Sequence, residues 1–149
     1  MAARFSAHVD GGSRGNPGAA AWGVAVVDDG GRVLERHAGS IGRATNNVAE
    51  YQGLIEALRI AGERGSVEVE IRADSELIVR QIEGRYKVRH PDLVPLHAEA
   101  KRRIAAFPLF RIRHVRREEN READKLVNRA LDLAEREGVA VAICETDVA

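Results

Sequence analysis

Asp10, Glu50, Asp74 and Asp124 are carboxylates on four separate stretches of this chain, each at the end of a strand-like run or the start of a helix-like one. Asp10 closes the apolar run Arg4 to Val9 and opens the glycine-rich turn DGGSRGNPG. Glu50 stands near the start of TNNVAEYQGLIEAL, Asp74 closes VEVEIRA, and Asp124 lies in the first turns of ENREADKLVNRAL. Strand ends and helix starts are where an α/β fold opens a site. Oxygen ligands gathered there suit a hard cation such as Mg²⁺ or Mn²⁺, which organises phosphoryl transfer. The chemistry such a set supports is metal-dependent cleavage of a phosphodiester.

The elements that must carry these acids are visible in the hydrophobic periodicity. Phe5, Ala7 and Val9 alternate with Arg4, Ser6 and His8, the pattern of a half-buried strand. Ala20 to Val27 is almost wholly apolar and predicts a central strand; Asp28-Asp29-Gly30-Gly31 predicts a hairpin turn, and Arg32 to Ala38 a returning third strand. Val48, Tyr51, Ile55 and Leu58 share one helical face, Asn47 with Glu50 resembles a capping-box start, and Gly62 and Gly65 end the helix. Val67, Val69, Ile71 and Ala73 predict a fourth strand, parallel to the first through a right-handed crossover. That places Asp10 and Asp74 at the same end of neighbouring strands. Parity sets each acid opposite its strand's apolar residues, so neither is expected to be buried in the main core.

Further on, Ser75 caps a short helix that Gly84 stops. Leu93, Leu96, Ala100, Ile104 and Phe107 mark another helix after Pro91, and Leu109 to Val115 a fifth strand. The last helix begins at Asn120, its expected cap, and turns Ala123, Leu126, Val127, Ala130, Leu131 and Ala134 inward. One domain is expected over residues 1–138, with residues 139–149 a tail that reads either as a short edge strand or as disordered.

Composition narrows the function classes. A chain of 149 residues with 44% hydrophobic and 31% charged residues is one ordinary globular domain. No apolar segment approaches the roughly 18 residues of a membrane span. The first residues lack a signal-peptide core, and a lone Cys144 excludes an intramolecular disulfide and a thiolate metal site. A cytoplasmic location is the expectation. Equal numbers of basic and acidic residues, 23 each, argue against a sequence-independent nucleic-acid coat. Basic residues are nonetheless dense between Arg102 and Arg117.

The motifs DGGSRGNPG, TNNVAE, ADS and HVRREENREADKL, in that order, resemble type 1 ribonuclease H from about Phe5 to Leu131. The resemblance implies a ribonuclease H-like α/β fold with a five-stranded mixed sheet, order 3-2-1-4-5, flanked by helices. It implies cleavage of the RNA strand of RNA–DNA hybrids with two divalent cations, Mg²⁺ or Mn²⁺, held by Asp10, Glu50, Asp74 and Asp124. Double-stranded RNA is a second candidate substrate; no protein partner is implied. Positions matching Gly11, Asn16, Asn46 and Asn47 face the hybrid backbone, and Arg43 with Thr45 matches a pocket for a DNA phosphate.

Three departures stand out. The segment GRYKVRHPDLVPL is too short for the basic helix and loop that some members insert, leaving Arg85, Lys87 and Arg89 as its only counterparts. Glu76 replaces a glutamine that touches RNA in many members. His114 holds, without gaps, the place of a working histidine ten residues before Asp124, while Arg117 sits where shortened members carry an arginine. His114 shares parity with Phe110 and Ile112, which favours a structural role for it and a catalytic one for Arg117. Other nucleases of the superfamily lack the DGGSRGNPG and TNNxxE pairing. A binding-only module would have lost an acid, and a nucleotide-binding fold needs a different glycine loop.

Overall fold

The computed structural model describes residues 3–147. The chain runs β1 (Arg4–Gly15), β2 (Gly18–Val27), β3 (Val33–Ala44), α1 (Asn46–Glu63), β4 (Glu68–Ala73), α2 (Glu76–Ile82), α3 (Val94–Ile104), β5 (Leu109–His114), α4 (Arg121–Glu137) and β6 (Ala142–Thr146). A single 3-10 turn, Arg117–Glu119, joins β5 to α4. The sheet is mixed and has six strands in the order β5-β4-β1-β2-β3-β6. The expected five strands are present in their expected order. The sixth comes from the tail: β6 pairs antiparallel with β3, Gly39 opposite Ala142 and Glu35 opposite Thr146, and Ile143 joins the core. Residues 148 and 149 of that tail lie outside the described residues.

β1 is the axis of the sheet. It pairs antiparallel with β2 and parallel with β4, with Val9 opposite Ala73, so Asp74 just past β4 lies beside Asp10. Asp10 sits midway along β1 rather than at its end, because the expected turn from Asp10 to Gly15 continues the strand. Phe5, Ala7, Val9, Val69 and Ile71 bury their side chains with Tyr51, Leu54 and Leu58 of α1. Each fully buried large side chain there contributes about 2 kcal/mol of transfer free energy. The opposite face is covered by α4, whose Leu126, Val127, Ala130 and Leu131 pack on Ala21, Ala25 and Ala38. Small residues on the strands are what let α4 lie close.

Two helix starts differ from the sequence reading. α1 begins before Asn47: Thr45 is the cap, its Oγ1 accepting from Val48 N at 3.3 Å. Asn120 precedes α4 as expected but makes no side-chain cap bond. Phe107 lies beyond the end of α3, buried against the main core.

Candidate active site

A cleft of about 480 Å³ opens where these strand ends and helix starts converge, lined by Asp10, Gly11, Gly12, Asn46, Asn47, Glu50, Asp74, Ser75, Arg117 and Asp124. Asp10 comes from β1, Glu50 from the second turn of α1, Asp74 from just beyond β4 and Asp124 from the first turn of α4. One oxygen from each of Asp10, Glu50 and Asp74 lies within 4.8 Å of the others. Asp124 shares the cleft but stands outside that tight triad.

Asp10 stays out of the main core, as expected, yet it is only 6% exposed. Parity did turn it away from the α1 core, but the other face is roofed as well. Its cross-strand neighbour Gly23 lies directly beneath α4, where a Cβ would stand 2.6 Å from the Ala123 carbonyl oxygen. Burial first, then the Asp74 charge, pushes the Asp10 carboxyl up to about 7. Burial also raises Glu50 well above the usual carboxylate range, followed by the charges of Asp10 and Asp74, while the Arg117 guanidinium acts in the opposite direction. An Asp10 oxygen and a Glu50 oxygen lie within 4.8 Å, so a charge on either carboxyl disfavours a charge on the other. Three oxygen ligands crowded in this way are an anionic cluster in need of a counter-charge, and a hard divalent cation fits the donor set.

Around the triad, the candidate substrate residues already form a lattice. Asn46 Oδ1 accepts from Ser13 N and Ser13 Oγ at 2.8 and 3.0 Å, and Asn16 Oδ1 accepts from Asn46 N at 3.0 Å. These bonds tie the β1–β2 hairpin to the start of α1. With both carbonyl oxygens so used, the amide NH₂ groups are what Asn16 and Asn46 can offer a phosphate. Thr45 is engaged as the α1 cap, and Arg43 is exposed at the end of β3 beside it. Gly11 lies against the main chain of Ala49 and Glu50 so closely that a Cβ would sit 2.1 Å from Ala49 C. Glu76 does not line the cleft; it is exposed at the start of α2 and accepts from Arg80 Nε at 3.0 Å, which lowers its pKa.

The two rivals for a catalytic role separate in space. Arg117, in the 3-10 turn, lines the cleft. His114 ends β5, is exposed, and its Nε2 lies 3.3 Å from the Asp74 carbonyl oxygen. The sequence reading did not assign Gly12 and Ser75, which line the cleft, to the site, and gave Asn120 only a capping role. Asn120 is 1% exposed, and its Nδ2 donates to Asp74 Oδ2 at 3.0 Å. An asparagine just before a helix looks like a cap; the long-range bond leaves no local pattern.

A family model described as reverse transcriptase-like matches residues 8–130. The N-terminal RNase H domain of a Mycobacterium tuberculosis protein superimposes with a TM-score of 0.86 at 42% identity, covering 93% of this chain and all of that one. The chain belongs to the ribonuclease H family. A ribonuclease HI of Halobacterium salinarum is 43% identical over 129 residues, 87% of this chain and 65% of that protein. A bifunctional protein of Mycobacterium tuberculosis is 46% identical over 132 residues, 88% of this chain but 36% of its own length. The chain thus spans about a third of that relative. LC11 ribonuclease H1, solved in complex with an RNA/DNA hybrid, superimposes with a TM-score of 0.83 at 43% identity, covering 88% of this chain and 99% of that one. As a ribonuclease H, the chain has between α2 and α3 a short connection with no helix. No helix among its described residues is long and apolar enough to cross a membrane.

Proposed function

We propose that this chain is an endonuclease that hydrolyses the RNA strand of RNA–DNA hybrids without sequence specificity, leaving a 5′-phosphate and a 3′-hydroxyl. The observation that carries this reading is the carboxylate triad of Asp10, Glu50 and Asp74 at the floor of an open, polar cleft. The relative solved with a hybrid supports the choice of substrate.

Asp10, Glu50 and Asp74, with Asp124 from across the cleft, would hold two divalent cations, Mg²⁺ or Mn²⁺, which supply water activation and charge stabilisation at the scissile phosphate. The protein's own groups orient the duplex. Asn16, Asn46 and Asn47 donate to the backbone on one side of the triad, and Arg43 with Thr45 receives a phosphate of the DNA strand. The 2′-hydroxyl and the minor-groove shape of the hybrid distinguish it from DNA. Contacts to the backbone and to groove shape carry no direct sequence information, so cleavage is expected to be independent of sequence.

The test is a cleavage assay on labelled hybrid, double-stranded RNA and double-stranded DNA, each with Mg²⁺, Mn²⁺ or EDTA. Hybrid is cut in either metal and untouched in EDTA, and DNA is spared. Cleavage that persists in EDTA, or DNA cut as readily as hybrid, would overturn the reading. Comparison of the RNA duplex with the hybrid measures whether double-stranded RNA is a true second substrate.

Arg117 is the residue we assign to assisting departure of the 3′-oxygen, since its guanidinium lines the cleft beside the acids and is permanently charged. Arg117→Ala is expected to lower turnover well beyond tenfold while Mn²⁺ affinity is nearly unchanged. His114→Ala acts mainly through stability. Should His114→Ala abolish activity at an unchanged melting temperature while Arg117→Ala is nearly silent, the assignment reverses.

A further inference from the structure

Asn120 makes contacts that a helix cap would not. Its Nδ2 donates to Val9 O at 2.9 Å and to Asp74 Oδ2 at 3.0 Å, and its Oδ1 stands 2.9 Å from His8 Nδ1. Its main-chain carbonyl accepts from Asp124 N at 3.1 Å. One buried residue therefore touches β1 one residue before Asp10, the Asp74 carboxylate, and the first turn of α4 that carries Asp124.

We propose that His8 and Asn120 form a positioning pair that sets Asp74 and Asp124 in register with Asp10. The proposal rests on the nuclease reading above and deepens it. The amide orientation follows from its partners. Val9 O and Asp74 Oδ2 are both acceptors, so both hydrogens of Nδ2 are used there. Turned over, Asn120 would face two acceptors with an oxygen and leave its nitrogen toward His8. With the amide fixed by those two acceptors, Oδ1 faces His8 Nδ1, and the tautomer protonated at Nδ1 completes the set by donating to it.

His8 reaches Asn120 from outside the cleft, at a small hollow lined also by Val27, Glu119 and Glu122. Its side chain hydrogen-bonds to Asn120 rather than to any of the four acids, and it does not line the cleft. Its role is to keep Asn120 in the one rotamer that serves Asp74. The neighbouring alternation in β1 would accept many half-buried residues at this place, but a donor directed at Asn120 narrows the choice.

Such outer partners of metal-binding carboxylates act by orienting them, and their loss typically lowers metal affinity or activity about 10- to 100-fold. The experiment compares wild type, His8→Leu, His8→Gln and Asn120→Ala in the full 149-residue chain. Calorimetric Mn²⁺ titration without substrate, kcat and KM on hybrid in Mg²⁺, and thermal melting are all measured. His8→Leu and Asn120→Ala should bind Mn²⁺ about tenfold more weakly and lose kcat in parallel, with KM little changed. His8→Gln, which restores a donor, should recover most of both.

If Asn120→Ala does not fold, the two His8 variants decide. A His8→Leu protein that melts lower yet keeps wild-type Mn²⁺ affinity and kcat would overturn the proposal, leaving a purely structural contact. A wild type that neither binds Mn²⁺ nor cuts hybrid would overturn the nuclease reading and this proposal with it. A wild type that does both, beside variants that match it, would overturn this proposal alone.

Discussion

Asp10→Asn and Asp74→Asn each lower hybrid cleavage by orders of magnitude, and the metal-free Asp10→Asn protein melts higher than wild type at neutral pH. The first effect follows from the triad: removing one charge from three oxygens within 4.8 Å removes both a ligand and the field that attracts a cation. The second follows from burial. The Asp10 carboxyl, normally near 3.8, is raised to about 7, so between those values the folded state holds a proton that the unfolded state has released. Metal-free stability from this group is therefore highest at low pH and falls as pH rises through that window. At pH 7 and above the ionised, buried Asp10 costs on the order of a few kcal/mol, and an asparagine does not incur it.

Denaturant melts of both proteins from pH 4 to 8 in EDTA, repeated in Mg²⁺, measure the difference. The wild type should lose stability with rising pH in EDTA and regain it with Mg²⁺, while Asp10→Asn should be flatter in both. Full hybrid cleavage by Asp10→Asn in Mg²⁺ would refute the ligand assignment. A mutant less stable than wild type at high pH without metal would refute the electrostatic account.

Gly11→Ala is expected to cost about 3 kcal/mol and to remove most activity at the same time. An alanine Cβ at that place would stand 2.1 Å from Ala49 C and 2.3 Å from Glu50 N. These are main-chain atoms of α1, so no rotamer change relieves the clash and the helix itself must move. It carries Glu50 and the Asn46 lattice, so stability and catalysis are coupled through one methyl group. Urea unfolding and hybrid cleavage on the same preparation test this. A variant with a wild-type midpoint and wild-type turnover would show that α1 is free to shift and that its seating on β1 is unimportant.

Much of the architecture was legible because its signals are local. Alternation at Phe5, Ala7 and Val9, the helical spacing of Tyr51, Ile55 and Leu58, and the Asp28–Gly31 turn each specify an element within a few residues. The parallel pairing of β4 with β1 followed from an intervening helix, and with it the meeting of Asp10 and Asp74. The acids stood out as a set through the motifs around them, since each alone is an ordinary turn, cap or first-turn acid. β6 was harder: its pairing with β3 joins residues about a hundred positions apart, and a short edge strand has little pattern of its own.

By itself, then, the sequence determined the order of elements, the face each turns to the core, and which four carboxylates arrive at one end of the sheet. Periodicity and capping chemistry act over one or two turns of chain, which is enough for the first two, and the motifs around the acids carried the third. Tertiary structure alone decided how buried Asp10 is, because that depends on α4 crossing Gly23 on a face that β1 cannot foresee. It decided that Arg117 lines the cleft and His114 lies outside it, since the turn after β5 sets both directions. It also turned Asn120 from an ordinary helix-start residue into a buried link between Val9, Asp74 and His8. Such a link spans more than a hundred residues of sequence, and only packing brings its ends within hydrogen-bond reach.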